Sequence, residues 1–312
     1  IDDEELIFAM TSAGYVKTMA LSDFNAQGRG GKGVTGAKLK DEDALSHMIH
    51  TTAHAYLLFF SNKGKVYRLK AHEIPSASRT ARGTPIVNLL PLHPDERIQA
   101  VVDTRDYETN RFLFFATKNG RVKKTLFTAY DSSLKAGLIA IKLNEGDELV
   151  SVVPTNGSDH IFLVSSMGQT LRVDEEKIRS MGRTAAGVNG MKFRVDDYLV
   201  SCAVSEEEAM LLHLTTEGFG KRTEVEEFSV KGRGGLGVRG IKTTENRGTV
   251  AGALIVKGDD DILAVTSSGK IIRLAVSEIS IQGRDATGVR VMSPGEGEII
   301  TAVSPAPTDS EA

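Results

Sequence analysis

The stretch YLLFFSNKGKVYRLK, residues 56–70, contains a complete predicted β-hairpin. Its first six residues form an aromatic and aliphatic strand, and its last six combine cationic with apolar residues in a second strand. Between them, Asn62, Lys63 and Gly64 supply the residues of a tight turn. A longer connection follows, and then two further β-prone runs at 86–92 and 98–102. This region therefore predicts one unit of four strands.

The same unit occurs six times along the chain. In each copy a Ser or Thr, two variable residues and a glycine end the first predicted strand, and this turn glycine recurs at intervals of 50, 56, 48, 50 and 51 residues. The six turn glycines are Gly14, Gly64, Gly120, Gly168, Gly218 and Gly269. The residue ten positions later is bulky and apolar in every copy: Phe24, Ile74, Tyr130, Ile178, Phe228 and Ile279. A regular period of this length is typical of repeat architectures.

A second glycine marks the long connection of each unit. It stands 19 residues after the turn glycine in five copies, and 17 residues after it in the third copy. These second glycines are Gly33, Gly83, Gly137, Gly187, Gly237 and Gly288. Six units of four strands favour a closed circular array, in which each small sheet packs on two neighbours. The alternative, an open solenoid, requires polar terminal units, whereas the last unit, residues 262–303, is as apolar as the middle ones.

We accordingly predict an all-β fold in a single domain, residues 1–304, followed by a disordered tail at 305–312. The approximate boundaries of the six repeats are 1–50, 51–105, 106–153, 154–204, 205–256 and 257–304. Because residue 1 is isoleucine rather than methionine, we expect the chain to be a fragment of a longer protein.

Composition and motifs exclude several classes of function. The 312 residues include one cysteine, Cys202, so neither a disulfide framework nor a thiolate metal site can form, and the apolar runs are too short to span a membrane. We therefore expect a cytoplasmic protein. No protease, hydrolase or phosphate-loop motif is present, and the histidine near-pair His47 and His50 lacks ligand spacing. The chain predicts no catalytic residue, no metal site and no cofactor of its own.

Cations recur at two positions of the repeat although the net charge is −3. Four residues after the turn glycine stand Thr18, Arg68, Lys124, Arg172, Arg222 and Arg273. Four residues before the second glycine stand Arg29, Arg79, Arg183, Arg233 and Arg284, with Ser133 in the third copy. Because equivalent positions of a circular array lie on one ring, both series predict a basic band. A ligand that contacts every unit must be long, polyanionic and curved, which describes duplex DNA held through its phosphates.

Two glycine-rich stretches stand out within these connections. Residues 27–33 read QGRGGKG, and residues 231–237 read KGRGGLG. Both formally match a dinucleotide-binding fingerprint. We reject that interpretation because the fingerprint must open a helix after a strand, whereas Thr35-Gly36 follows the first stretch and Arg239-Gly240 follows the second.

Residues 27–33 resemble the signature box of the DNA gyrase A family, which usually reads glutamine, a basic residue, arginine, two glycines, a basic residue and glycine. Gly28 replaces the first basic residue. The second stretch departs further, with Lys231 in place of glutamine and Leu236 in place of the second basic residue. Together with the six-fold repeat, the resemblance covers the whole chain. It implies a C-terminal domain of that family, a closed six-bladed, propeller-like β-pinwheel with about four strands per blade.

The same resemblance implies a function and partners. The basic rim of such a domain wraps duplex DNA with positive handedness, so that strand passage elsewhere in an ATP-dependent type II topoisomerase introduces negative supercoils. The chain itself would be non-catalytic and nucleoid-associated. It would work in an A2B2 assembly with the rest of the gyrase A polypeptide and with gyrase B, and other parts of that assembly use ATP and Mg²⁺. The alternatives are a topoisomerase IV domain and a propeller-like scaffold for acidic protein partners.

We predict DNA contacts for the residues that match the box and for the cations of both series and their neighbours. The box residues are Gln27, Arg29, Gly30, Gly31, Lys32 and Gly33. The remaining predicted contacts are Lys38, Arg68, Arg79, Lys123, Lys124, Arg172, Arg183, Arg222, Lys231, Arg233, Arg239, Arg273 and Arg284.

Overall fold

The structure is a computed structural model that describes residues 1–23, 45–131 and 137–306. Over these ranges the chain forms six small β-sheets joined by turns and short helical segments. In the first two units the strands are β1 (Glu5–Thr11), β2 (Tyr15–Ala20), β3 (Leu45–Thr52), β4 (Tyr56–Ser61), β5 (Lys65–Lys70), β6 (Thr84–Pro85) and β7 (Ile98–Asp103).

The remaining units repeat this order. The third and fourth contain β8 (Phe112–Thr117), β9 (Arg121–Leu126), β10 (Leu138–Ile139), β11 (Leu149–Thr155), β12 (His160–Ser165), β13 (Gln169–Asp174), β14 (Val188–Asn189) and β15 (Leu199–Val204). The fifth and sixth contain β16 (Met210–Thr215), β17 (Phe219–Glu224), β18 (Val230–Lys231), β19 (Val238–Arg239), β20 (Val250–Val256), β21 (Asp261–Thr266), β22 (Ile271–Ala275), β23 (Val289–Arg290) and β24 (Ile300–Pro305). The 3-10 helices are Ala71–Glu73, Ile86–Asn88, Thr104–Glu108, Phe127–Tyr130, Glu175–Lys177, Val225–Glu227 and Val276–Glu278.

The first strand of each unit has a mostly apolar centre because it is covered on both faces. In β4, Leu57 and Phe59 pack into the core shared with the first unit. Leu58 and Phe60, which point to the opposite face, pack into the core shared with the third unit. Each sheet is therefore a blade between two neighbouring blades, and mostly apolar strand centres follow from that position.

The ring of blades is closed. The third strands of successive units lie next to one another, in the order β3, β7, β11, β15, β20 and β24, and β24 in turn contacts β3. These strands form the inner edges of the blades, around the central axis. The all-β, six-bladed propeller that the repeat predicted is confirmed, and the open-solenoid alternative is wrong.

The fourth strand of a blade comes from the following unit, which corrects the sequence prediction. The segment predicted as a strand at 86–92 begins with the 3-10 helix Ile86–Asn88, because the amides of Leu89 and Leu90 bond back to the carbonyl of Ile86. The outer strand is instead the two-residue β6, which pairs with β2 of the preceding blade. The same exchange pairs β10 with β5, β14 with β9, β19 with β13 and β23 with β17. Among the described residues, the sixth blade has three strands.

The second glycine makes this exchange sterically feasible. Gly83, Gly187, Gly237 and Gly288 all have positive φ. A Cβ atom on any of them would lie within 2.8 Å of a carbonyl oxygen in the second strand of the preceding blade. Only glycine permits both the conformation and the close approach.

The apolar residues ten positions after the turn glycines are at most 2% exposed where the structure describes them, at Ile74, Tyr130, Ile178, Phe228 and Ile279.

Two further expectations concern the ends of the fold and the membrane. Pro305, where the sequence predicts that a disordered tail begins, is the last residue of β24 and pairs with Ile262. Residues 307–312 lie outside the described residues. No helix in the described part of the chain is long and apolar enough to span a membrane.

Candidate nucleic-acid interface

We call the short strands that pair with the preceding blade the exchanged strands; they are β6, β10, β14, β19 and β23. The outer rim of the ring is built from the connections that lead into them. We call residues 76–83, 180–187, 230–237 and 281–288 the rim loops of units 2, 4, 5 and 6. Each ends at a second glycine and enters a strand that forms the outermost edge of the preceding blade, opposite the third strands at the axis. The rim loops therefore lie at the greatest distance from the centre of the ring.

Each rim loop is tied to the preceding blade at both ends. At its start, parallel bridges join Ser76 to Thr18, Ser180 to Lys124 and Ile281 to Arg222. In unit 5 the same contact is extended into the parallel pair of β18 and β13. The antiparallel exchanged strand follows at the other end. The middle of each loop, between these two fixed points, carries the arginine series.

The arginines of the second series occupy equivalent places on this rim. Arg233 is exposed, and Arg79, Arg183 and Arg284 are half-buried. The Arg233 guanidinium donates to the carbonyl of Asn189 at 3.0 Å, and that of Arg183 donates to the carbonyl of Ile139. Both acceptors are the second residue of an exchanged strand, so adjacent rim loops connect along the rim. A guanidinium has five N–H donors, which leaves several for a ligand.

Lys231 and Arg239 are also exposed in and beside the unit 5 rim loop. The structure thus brings six of the predicted contacts onto the rim. These are Arg79, Arg183, Lys231, Arg233, Arg239 and Arg284.

The first cation series lies in the clefts between blades, which corrects the predicted exposed band. Lys124 and Arg222 are buried, and they donate to the carbonyls of Glu175 at 2.9 Å and Ile279 at 2.7 Å. Arg172 donates to the carbonyls of Val225 and Phe228. These acceptors belong to the 3-10 helix of the next unit or to the residue after it, where backbone carbonyls lack helical partners. The second strand is sandwiched between blades, so its cations stabilise blade-to-blade contacts.

Two of the remaining members, Thr18 and Arg68, also join neighbouring units, whereas Arg273 pairs within its own unit. In the first unit, Thr18 makes the equivalent bond through its hydroxyl to the carbonyl of Ile74 at 3.1 Å. Arg68 forms an ion pair with Asp131 of the next unit at 3.2 Å, and Arg273 pairs with Asp261 of its own hairpin at 2.7 Å.

Lys123 is a further correction, because its side chain is fully buried. Its ammonium lies beneath the unit 4 rim loop and donates to the carbonyls of Ala140 at 2.7 Å and Arg183 at 2.6 Å. A cation that is buried and satisfied by carbonyls is not placed to meet a phosphate.

An exposed lysine series on the same rim was not among the predicted contacts. Lys142, Lys192 and Lys242 are exposed, and each stands five residues after a second glycine, the register that Lys38 occupies in the first unit. Their backbone amides donate to carbonyls in the following unit's connection, at Ala185, Gly235 and Ala286. Counting five residues forward from each second glycine would have found them.

The box residues and Lys38 lie outside the described residues, so their contacts stay a prediction. They are Gln27, Arg29, Gly30, Gly31, Lys32, Gly33 and Lys38. Within the described ranges, no group of three or more His, Cys, Asp or Glu side chains could hold a metal ion.

Comparison with known proteins gives consistent matches over the whole chain. The family described as "DNA gyrase C-terminal domain, beta-propeller" matches six times, at residues 5–52, 55–104, 111–156, 159–206, 209–257 and 260–307. The DNA gyrase A protein of Mycolicibacterium smegmatis is 42% identical over 311 residues, which cover 99% of this chain and 37% of that protein. The DNA gyrase A protein of Salmonella typhimurium is 43% identical over 303 residues, covering 97% of this chain and 34% of that protein. The chain thus spans about a third of the length of these relatives.

Two solved structures share the fold at 28% and 29% sequence identity. The C-terminal domain of a DNA topoisomerase IV superposes with a TM-score of 0.83 at 29% identity, covering 98% of this chain and 94% of that one. A DNA gyrase A C-terminal domain superposes with a TM-score of 0.77 at 28% identity, covering 97% of this chain and 99% of that one.

Proposed function

This chain belongs to the family of DNA gyrase C-terminal domains, and from that membership we propose that it binds duplex DNA without sequence specificity and bends it around its rim. We further propose that the bend is a wrap of positive handedness. The observation that carries the proposal is the recurrence of an arginine at one place in four rim loops of a closed ring. A curved polyanion lying along that rim meets several cations at once.

The proposed contacts read phosphate rather than base edges. Guanidinium and ammonium groups on the rim loops form charge-assisted hydrogen bonds with phosphate oxygens, which are the same for every sequence. Binding of this kind releases condensed counterions from the duplex. The logarithm of the binding constant therefore falls with the logarithm of salt concentration, by about 0.9 for each phosphate neutralised.

Bending requires that contacts along the arc outweigh the stiffness of DNA. Turning a site of about 20–30 base pairs through about 40–90° costs on the order of 1–6 kcal/mol. Cations spaced around a rim offset that cost because each new contact forms only if the duplex follows the curve, as when DNA is wrapped by histones. The exposed lysines Lys142, Lys192 and Lys242 extend this arc between the arginines.

We propose the following larger role for the chain. It is a non-catalytic part of the gyrase A polypeptide in the cytoplasm, and it acts with gyrase B in an A2B2 assembly. Parts of the enzyme outside this chain use ATP and Mg²⁺ for strand passage, which converts the positive wrap into negative supercoils. The box residues 27–33 complete the wrap, as their resemblance to the family signature implies.

A titration of DNA binding against salt tests the proposal. The chain should shift a mixed-sequence duplex in a gel at low salt, and its affinity should fall along a steep log-log line. Absence of binding at low salt, or an affinity that salt does not change, would overturn the proposal and favour a protein-interaction scaffold.

Ligation of nicked circles in the presence of the chain tests the wrap itself. We expect the linking number of the ligated circles to rise, because a positive wrap is trapped when the nick is sealed. An unchanged distribution together with salt-dependent binding would overturn the wrap. That result would favour a domain that binds DNA without wrapping it. It would also agree with the topoisomerase IV alternative, since a topoisomerase IV domain superposes as well as a gyrase domain does.

A further inference from the structure

Three buried lysines occupy one place in alternate units of the ring. Lys17, Lys123 and Lys221 each stand three residues after the turn glycine, in units 1, 3 and 5. They are 4%, 0% and 0% exposed, respectively. Each side chain crosses from the second strand of its own blade to the underside of the next unit's rim loop. The three rim loops concerned are those of units 2, 4 and 6.

The acceptors of the three ammonium groups are equivalent. Lys17 donates to the carbonyl of Arg79 at 2.7 Å, Lys123 to that of Arg183 at 2.6 Å and Lys221 to that of Arg284 at 2.7 Å. Each lysine therefore binds the backbone of the rim arginine itself. Further rim-loop carbonyls complete each site, at Ser78 and Ala81 for Lys17, Gly182 for Lys123 and Gly283 for Lys221.

The other three units have no cation at this position. Tyr67, Leu171 and Ile272 stand there in units 2, 4 and 6. Leu171 is buried and packs in an ordinary apolar core. Since leucine fills the same place in the same repeat, packing alone does not require a lysine. A buried ammonium is costly unless it is fully hydrogen-bonded. The lysines therefore indicate that the inward-facing carbonyls of the rim loops need hydrogen-bond donors.

An ammonium group supplies those donors. It offers three donors to converging carbonyl oxygens, whereas a neutral amine would turn a lone pair toward one of them. Burial lowers the pKa of Lys123 to about 7, and the nearby Arg183 contributes to that lowering. Burial also lowers the pKa of Lys221 to about 8, in a setting where Glu227 and Asp285 raise that pKa and Arg284 lowers it.

We propose that Lys17, Lys123 and Lys221 are positioning residues that fix the backbone of Arg79, Arg183 and Arg284 for contact with duplex phosphates. The inference rests on the proposed function of the rim. An arginine whose backbone is already held loses less conformational freedom when it binds, and affinity rises accordingly. The loops of units 2, 4 and 6, which a lysine anchors, thus contrast with the described unit 5 loop, for which Leu171 stands at the equivalent position.

The adjacent residue Lys124 provides a matched control for Lys123. Both are buried on β9, but Lys124 donates to the carbonyl of Glu175 in a cleft rather than to a rim loop. In gel shifts with a mixed-sequence duplex, Lys123→Met should weaken binding by roughly threefold to tenfold, the equivalent of ordering one long side chain. Lys124→Met should lower the melting temperature and leave the affinity within about twofold.

A double-mutant cycle separates positioning from general stability. In the Arg183→Ala background, Lys123→Met should cause no further loss of affinity, although it should still lower the melting temperature. Equal losses for the two lysine variants, or a full effect of Lys123→Met in the Arg183→Ala background, would overturn the inference. If Lys123→Met does not fold, Lys221→Met with Arg284→Ala repeats the cycle in unit 6. Failure of the unsubstituted chain to bind would overturn the proposed function, whereas normal binding by the unsubstituted chain and by the lysine variants alike would overturn only this inference.

Discussion

The rim loops of units 4 and 5 follow the same path and are stabilised in different ways. Both start at a parallel bridge and end at a glycine with positive φ, and both carry an arginine that bonds to the preceding exchanged strand. The unit 4 loop rests on the ammonium of Lys123. The unit 5 loop lies above Leu171, which offers no hydrogen bond.

A backbone hydrogen bond replaces the missing cation in unit 5. The amide of Gly234 donates to the carbonyl of Gly190 at 2.8 Å. In unit 4 the equivalent carbonyl, that of Ala140, accepts from the ammonium of Lys123 at 2.7 Å instead. Gly234 has a φ of +89°, a conformation that glycine adopts without steric strain. One loop geometry thus has two solutions, a buried charge or a glycine-rich backbone, and the KGRGGLG stretch is the second of them.

The largest effect should come from the glycine that both loops share. Gly187→Ala and Gly237→Ala should each lower the free energy of unfolding by about 3 kcal/mol, because positive φ is strained for alanine and the new Cβ would overlap a carbonyl of the preceding strand. Chemical denaturation measures this loss. Gly182→Ala is the control, since no atom lies within 4 Å of its added Cβ. A large loss in only one loop would mean that the two paths are not equivalent.

A smaller effect should distinguish the two supports. Lys123→Leu should lower the free energy of unfolding by about 2 kcal/mol near neutral pH, because carbonyls of the rim loop lose a charged donor. Leu171→Met, at the equivalent place under the unit 5 loop, should cost less than about 1.5 kcal/mol, since it conserves volume in an apolar core. Thermal unfolding of the two variants measures the difference. Equal losses would show that Lys123 acts only as packing.

The pH dependence of stability should also show that the unit 4 loop rests on a titratable group. The pKa of Lys123 is about 7 in the folded chain, below its ordinary value of 10.5. Between these values the unfolded chain holds a proton that the folded chain has released, so this group makes stability rise with pH. DNA affinity should fall over the same range, because the neutral amine holds the rim loop less well. Denaturation and gel shifts across this range should show the two trends diverging, and both should flatten in Lys123→Leu.

The repeat could be predicted from the sequence because local geometry imposes its marker residues. A tight turn requires Gly168, the gap between two blades requires a bulky residue such as Ile178, and close approach requires Gly187. The exchange of the fourth strand could not be predicted. A two-residue strand such as Val188–Asn189 has no periodicity, and nothing local states which blade it joins.

The candidate site was predictable only in part for a related reason. Lys123 and Lys124 were assigned to the surface because charged residues are rarely buried without partners. Their partners are backbone carbonyls of the next unit, which carry no signature in the sequence. The rim arginines could be found because each stands four residues before a second glycine. Counting five residues forward from the same glycines leads to Lys142, Lys192 and Lys242.

The smallest expected change concerns single contacts on the rim. Arg183→Ala and Arg233→Ala should each lower the salt slope of DNA binding by about one, as expected for the loss of one phosphate contact. Folding stability should change by less than about 0.5 kcal/mol for Arg233→Ala, because Arg233 is an exposed surface residue. Gel shifts over a series of salt concentrations measure the slope.

The two arginines should differ in affinity even where their slopes agree. Since the backbone of Arg183 is held by Lys123, its guanidinium binds with less loss of freedom, and Arg183→Ala should cost more affinity than Arg233→Ala. Lys124→Met serves as the control, with an unchanged slope, because its ammonium is committed to the carbonyl of Glu175 in a cleft. A slope lowered equally by Lys124→Met would mean that cleft cations reach DNA, and the division between rim and cleft would then fail.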